Sequence, residues 1–168
     1  VIRFAGDRFI DIELQLNKVS GLKIPNTAIV EKTFYRIPKE YVSVNENKED
    51  EISLIKETYD NDGSAITKYI TATVYDKTDT DYYVDTGLFS EGDYVLMKDS
   101  SKRYQVSDTK SLIGVYNINK GYAIFREITI IDENEEYCIV ESNSSYGLAQ
   151  YDYIALDAST VKEDAIII

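Results

Sequence analysis

The sequence contains no histidine, and with that residue go the usual general base near neutral pH and the commonest protein ligand of zinc and copper. Most hydrolase and metalloenzyme constellations are closed by this absence alone. There is one cysteine, Cys138, which has no internal disulfide partner and no imidazole to activate it; set between Tyr137 and Ile139, it reads as a small core residue. The serines stand in polar turns without a nucleophile elbow, and the eight glycines do not assemble into a phosphate loop or a dinucleotide fingerprint. Basic residues are few: 18 against 30 acidic ones, for a net charge of −12. Such a field repels phosphate backbones, so nucleic acid is not an expected partner. No run of about 18 apolar residues is present, and no basic-then-apolar leader opens the chain. The first residue is Val1 rather than methionine, so the sequence reads as a piece of a longer protein.

What is present is β-forming. Apolar residues make up 43% of the 168, enough for a chain of this length to bury about 70% of the surface its unfolded form exposes. In Ile10-Asp11-Ile12-Glu13-Leu14-Gln15-Leu16 the apolar side chains fall on every second position, which places them on one face of a strand. Further extended runs rich in Ile, Val, Thr and Tyr are read at Leu22 to Ile24, Ala28 to Phe34, Tyr69 to Tyr75, Tyr82 to Val84, Tyr94 to Met97, Arg103 to Val106, Gly114 to Ile118, Tyr122 to Ile131, Tyr137 to Glu141 and Tyr151 to Leu156. Turn chemistry separates them at Asp60 to Gly63, Gly87, Glu91 to Asp93, Asn119 to Gly121 and Asp157 to Ser159. Helix is scarce. Ile37 to Tyr41 has room for one turn with Pro38 at its first position, Glu46 to Lys56 fits neither period cleanly, and Asn45 to Asp50 reads as an exposed loop. The expected class is all-β, with antiparallel barrel-like or sandwich-like modules.

An internal repeat sharpens this. Ile70-Thr71, Asp76, Tyr82-Tyr83-Val84, Leu88 and Asp93-Tyr94-Val95-Leu96 are answered by Ile128-Thr129, Asp132, Tyr137-Cys138-Ile139, Leu148 and Asp152-Tyr153-Ile154-Ala155-Leu156. Both copies read as strand, polar turn, strand, Leu-containing loop and a strand opened by Asp-Tyr, which implies two related β units.

Candidate chemistry is thin. Asp60-Asn61-Asp62-Gly63-Ser64 is oxygen-rich, but an EF-hand needs an acid at its first position and glutamate at its twelfth; Thr58 and Tyr69 stand there, and a hairpin turn is the expectation. Paired carboxylates could in principle run a glycosidase, yet 30 acids make that requirement easy to meet, and acids in so acidic a chain ordinarily form a solvated face. No catalytic residue, metal ligand or cofactor is expected. The 15 tyrosines suit contact surfaces, since the ring can be covered while the hydroxyl stays wet. Tyr146, Tyr151 and Tyr153, after the polar loop Glu141 to Ser145, are the candidate partner-contact residues.

Three stretches together resemble one family. Leu22-Lys23-Ile24-Pro25-Asn26-Thr27-Ala28-Ile29-Val30 resembles the "IP-x-x-A-[IV]-[IV]" strand entry of HlyD-like membrane-fusion proteins, the periplasmic adaptor subunits of bacterial efflux and secretion systems. Gly114-Val115-Tyr116-Asn117-Ile118 with Ala123 to Ile128 resembles their "G-V-[YF]-V … R-x-V" hairpin. Leu148 to Ile154, continuing to Val161 to Ile167, resembles the close of their membrane-proximal domain, with Tyr151-Asp152 where the family has Gly-Asp. The resemblance covers residues 1–34 and 112–168, with Ile10 to Leu16 as the last strand of an adjoining barrel, and residues 35–111 read as an inserted β module. It implies a non-enzymatic, extracytoplasmic adaptor, anchored to the membrane through a segment outside this sequence, that contacts an inner-membrane transporter and self-associates. The other class the sequence permits is a cell-surface binding module for wall glycan or peptide.

Overall fold

The structure, a computed structural model, describes residues 9–11, 14–15, 21–119, 121–142 and 153–160. The fold is all-β: several antiparallel sheets carry it, and among the described residues no helix reaches 7 residues. In chain order the strands are β1 (Phe9–Asp11), β2 (Leu14–Gln15), β3 (Gly21–Pro25), β4 (Val30–Pro38), β5 (Val42–Val44), β6 (Glu51–Tyr59), β7 (Ala65–Thr73) and β8 (Asp76–Lys77). There follow β9 (Asp81–Asp85), β10 (Tyr94–Leu96), β11 (Arg103–Gln105), β12 (Thr109–Asn119), β13 (Tyr122–Glu127), β14 (Ile130–Glu133), β15 (Tyr137–Val140) and β16 (Tyr153–Ala155). Two compact units divide the chain: Val1–Lys32 with Leu112–Ile168, and Thr33–Ser111. Both crossings between them fall inside strands, β4 and β12.

The first unit holds the order β14-β15-β3-β2 and, separately, β1-β16-β12 with β13 on the other side of β12. Leu22, Ile24, Val115, Cys138, Val140 and Ile154 are buried together as its core. Those on β3 and β15 alternate as a period-two strand with one covered face requires. The second unit holds β11-β10-β6-β5 with β7 on β6, and β4-β9-β8. Phe34, Ile37, Ile52, Leu54, Val84 and Val95 are buried in it, and the Phe34 ring lies 4.9 Å from that of Tyr75.

The two units share a run of matching features that is longer than the repeat read from the sequence. In each, a strand ends in Ile-Pro and a 3-10 turn follows: Ile24-Pro25 before Asn26–Ala28, and Ile37-Pro38 before Lys39–Tyr41. Pro lacks an amide hydrogen and holds φ near −65°, so it ends the pairing and turns the chain at the same point in both. Pro25 lies opposite Tyr137 and Pro38 opposite Asp81. The next residue bridges back in each case: the Asn26 amide donates to the Glu136 carbonyl and the Lys39 amide to the Thr80 carbonyl, both at 2.9 Å. The hairpin facing it is also duplicated. In β14–β15, Asn134 Oδ1 accepts from the amides of Glu136 (2.9 Å) and Tyr137 (2.8 Å); in β8–β9, Thr78 Oγ1 accepts from Thr80 (3.3 Å) and Asp81 (3.1 Å). Asp132 and Asp76 each accept the amide of the following residue, Glu133 or Lys77. The long hairpin repeats as well. β6 is flanked by β5, β7 and β10, and β12 by β13, β16 and β4, the strand that starts at Val30 directly after the first 3-10 turn.

Several expectations change in detail. Of the strand read over Ile10 to Leu16 the described residues are extended as β1 and β2, which pair with β16 and β3. The run Tyr122 to Ile131 breaks at Ile128-Thr129, where a buried Ile128 carries the chain from β13 on β12 to β14 on β15. Ala28 belongs to the 3-10 turn, and Pro38 precedes its turn as the cap rather than opening it. Glu51 to Tyr59, left without an assignment, is the central strand of the second unit. Asp60 makes the expected hairpin turn: its Oδ1 accepts from the amides of Asp62 (2.9 Å) and Ser64 (2.8 Å), and Gly63 supplies the positive φ of 80° that other residues resist. Residues 143–152 and 161–168, which carry Leu148 and Asp152 of the second repeat copy and most of the last of the three resembling stretches, lie outside the described residues.

Candidate contact surface

In β6 the even positions Ile52 and Leu54 are buried and the odd positions turn outward. Pairing places outward residues from neighbouring strands side by side: Ser53 opposite Ser43, and Ile55 opposite both Tyr69 and Leu96. Here lies a pocket of about 260 Å³ lined by Glu40, Tyr41, Val42, Ser43, Ser53, Leu54, Ile55, Tyr69, Leu96 and Lys98. Its size is below the roughly 300–1,000 Å³ of small-molecule pockets, which suits a side chain or one ring of a ligand. Tyr69 is 83% exposed, and Tyr41 packs its ring 5.8 Å from that of Tyr104. An apolar floor, two aromatic walls and one charge of each sign at the rim can accept an amphipathic group.

A polar cluster follows along the same face. Glu57 lies opposite Tyr94, and Arg103 Nη1 donates to Glu57 Oε1 at 2.9 Å and to the Tyr59 hydroxyl at 3.3 Å. The Arg103 guanidinium also sits 4.3 Å from the centre of the Tyr94 ring, a cation–π geometry. The Tyr59 hydroxyl, then the Glu57 carboxylate, push the Arg103 pKa above its ordinary value. Arginine, carboxylate and two tyrosines are thus held in one arrangement on an outward surface, and of these Arg and Tyr are enriched at protein contacts.

Beneath the face, Asp93 is 2% exposed. Its carboxylate accepts the Ser90 amide at 2.8 Å and stands 3.6 Å from Lys56 Nζ, while Lys56 donates to the Leu88 carbonyl at 2.8 Å. The pair therefore ties the 3-10 loop Thr86–Leu88 to the central strand. In the first unit, burial and then the Glu133 charge push the Cys138 thiol up to about 11, which leaves it protonated and unreactive at neutral pH.

Of the tyrosines singled out from the sequence, Tyr153 lies on β16 opposite Asp11 and Ile118, 43% exposed. Tyr146 and Tyr151 lie outside the described residues. The surface built by Tyr41, Tyr59, Tyr69, Tyr94 and Arg103 was not singled out. Its signal was the Tyr and charge at outward positions of a strand, Glu57 and Tyr59, in a segment to which the sequence pattern assigns no period. Among known proteins, no family model, no curated protein and no solved structure matches this chain.

Proposed function

We propose that this chain is part of a non-enzymatic extracytoplasmic adaptor that helps assemble a bacterial membrane transport complex. One observation carries the reading furthest. The Ile-Pro corner on which the resemblance to HlyD-like adaptors rests forms the same strand, 3-10 turn and backbone bridge twice, at Pro25 and at Pro38. A duplicated β module with Tyr- and Arg-rich outward strands is suited to touching proteins. On this reading the inner-membrane transporter is the main partner, and attachment to the membrane comes from outside this sequence. The pocket walled by Tyr41 and Tyr69 favours one second reading, a cell-surface module that takes a sugar ring or a peptide side chain.

The test is site-specific photo-crosslinking in cells of the source organism, with the photoreactive residue at Tyr69 or Lys98 in the whole protein. The adaptor reading expects an integral membrane transporter as the captured species. Capture of wall material, with saturable binding of a purified wall glycan that Tyr69→Ala abolishes, overturns it in favour of the surface module.

A further inference from the structure

We propose that β7 is a self-pairing edge: two copies of this chain join β7 to β7, antiparallel and centred on Tyr69. The inference stands on the strand itself and does not rest on the adaptor reading. β7 is nine residues long and pairs with β6 along its whole length without a break in register. Among the described residues no strand pairs with its other side. Ala65 to Tyr69 are all exposed, on both faces. Natural edges are ordinarily protected by shortness, bulges, proline or several charges. β7 is long, unbulged and free of proline, and its one protective charge is Lys68: it reads Ala-Ile-Thr-Lys-Tyr-Ile-Thr-Ala-Thr. Its counterpart in the other unit, β13, buries Ala123 and Phe125 instead, so the module does not require an exposed strand at this place.

A row of outward backbone amides and carbonyls calls for another strand, and the side chains specify a second β7. Pairing about Tyr69 sets Lys68 opposite Ile70, Thr67 opposite Thr71, Ile66 opposite Ala72 and Ala65 opposite Thr73. No like charges meet, and the β-branched and Thr–Thr pairs are those that stabilise sheets. Moving the centre by one residue to Lys68 would put two ammonium groups face to face. The contact is one strand, about 30 Å long at ~3.3 Å per residue, and falls short of the roughly 1,600 Å² of a standard interface. The dimer is therefore weak in dilute solution and grows when copies are concentrated on one membrane.

Cysteine scanning of the 168-residue chain tests the register. Residues facing each other across such a pair have Cβ atoms about 4.5–5.5 Å apart, within disulfide reach after a small adjustment. Under mild oxidation Tyr69→Cys is expected to link to itself several-fold faster than Thr73→Cys, and Thr67→Cys is expected to link to Thr71→Cys in a mixture but not to itself. Tyr69 is exposed, so Tyr69→Lys keeps the far-UV circular dichroism spectrum while weakening self-association several-fold in sedimentation equilibrium. If Tyr69→Cys links no faster than Thr73→Cys, if Thr67→Cys links to itself as fast as to Thr71→Cys, or if Tyr69→Lys leaves self-association unchanged, the proposal fails.

Discussion

The two units solve one packing problem with different chemistry at equivalent positions. On the central strand of the second unit Lys56 lies opposite Val95, and on that of the first Asn117 lies opposite Ile154. The second unit closes its loop with the Lys56–Asp93 ion pair, and in the first a buried Asn117 stands at the place of Lys56. One residue before Leu54 and Val115, the buried anchors of these strands, Ser53 corresponds to Gly114; elsewhere in the units Tyr82 corresponds to Cys138, and they face Ile37 and Ile24 respectively. Volume taken on one strand is surrendered on its neighbour. Phe125 fills the space over Gly114 in the first unit, where an added Cβ would meet the Arg126 carbonyl and come within 2.5 Å of the Phe125 ring. The module thus fixes register and corners, while side-chain chemistry varies inside it.

The largest expected effect breaks the ion pair of the second unit. Asp93→Ala removes the acceptor of the Ser90 amide and leaves Lys56 beside an apolar core, at a cost of about 3 kcal/mol; the value is at the low end because the Lys56 side chain retains 19% exposure. Urea denaturation should show the midpoint falling, with the loss confined to probes in Thr33–Ser111. Replacing both Lys56 and Asp93 by Met and Leu should restore much of that loss, since it removes the stranded charge.

Exchange of the small residues comes next. Gly114→Ser forces a side chain against backbone and ring and should cost about 2–3 kcal/mol, whereas Ser53→Gly in the second unit should cost only about 0.5–1 kcal/mol through backbone entropy. Equal costs in thermal or urea unfolding would mean that the two positions are not equivalent.

The smallest effect is one of pH and belongs to the first unit alone. The Cys138 thiol, held near 11 by burial, stays protonated in the fold while the unfolded thiol ionises from about 9. Its contribution is fully present below pH 9 and is progressively lost as pH rises toward 11. Stability measured from pH 8 to 11 should show that decline, and Cys138→Ala should lose that portion of it.

Much of this was legible in the sequence because sheets write themselves as alternation and turns. The hairpin at Asp60 to Gly63 and the strands at Leu22 to Ile24, Tyr82 to Val84 and Arg103 to Val106 follow from that grammar. Lys56 defeated it at Glu51 to Tyr59: an inward lysine looks like a broken period until its partner, 37 residues on at Asp93, is in place. The first part of the repeat was hidden for a related reason. Ile24-Pro25 and Ile37-Pro38 stand too close together in sequence to look like members of separate copies, and they separate only because the chain leaves the first unit at Lys32 and returns at Leu112. The contact surface was illegible because it joins Tyr41, Tyr69 and Leu96, residues of three strand neighbourhoods that only register brings together.

The central claim is that the first unit is a complete module interrupted by a second copy of itself. The direct measurement is to delete Thr33–Ser111, join Lys32 to Leu112 through a short turn, and record circular dichroism, urea unfolding and the reactivity of Cys138 toward a thiol reagent. A β-type spectrum, a cooperative transition and a protected thiol are the expected result. A disordered spectrum with Cys138 reacting at the rate of an unfolded peptide would contradict the claim.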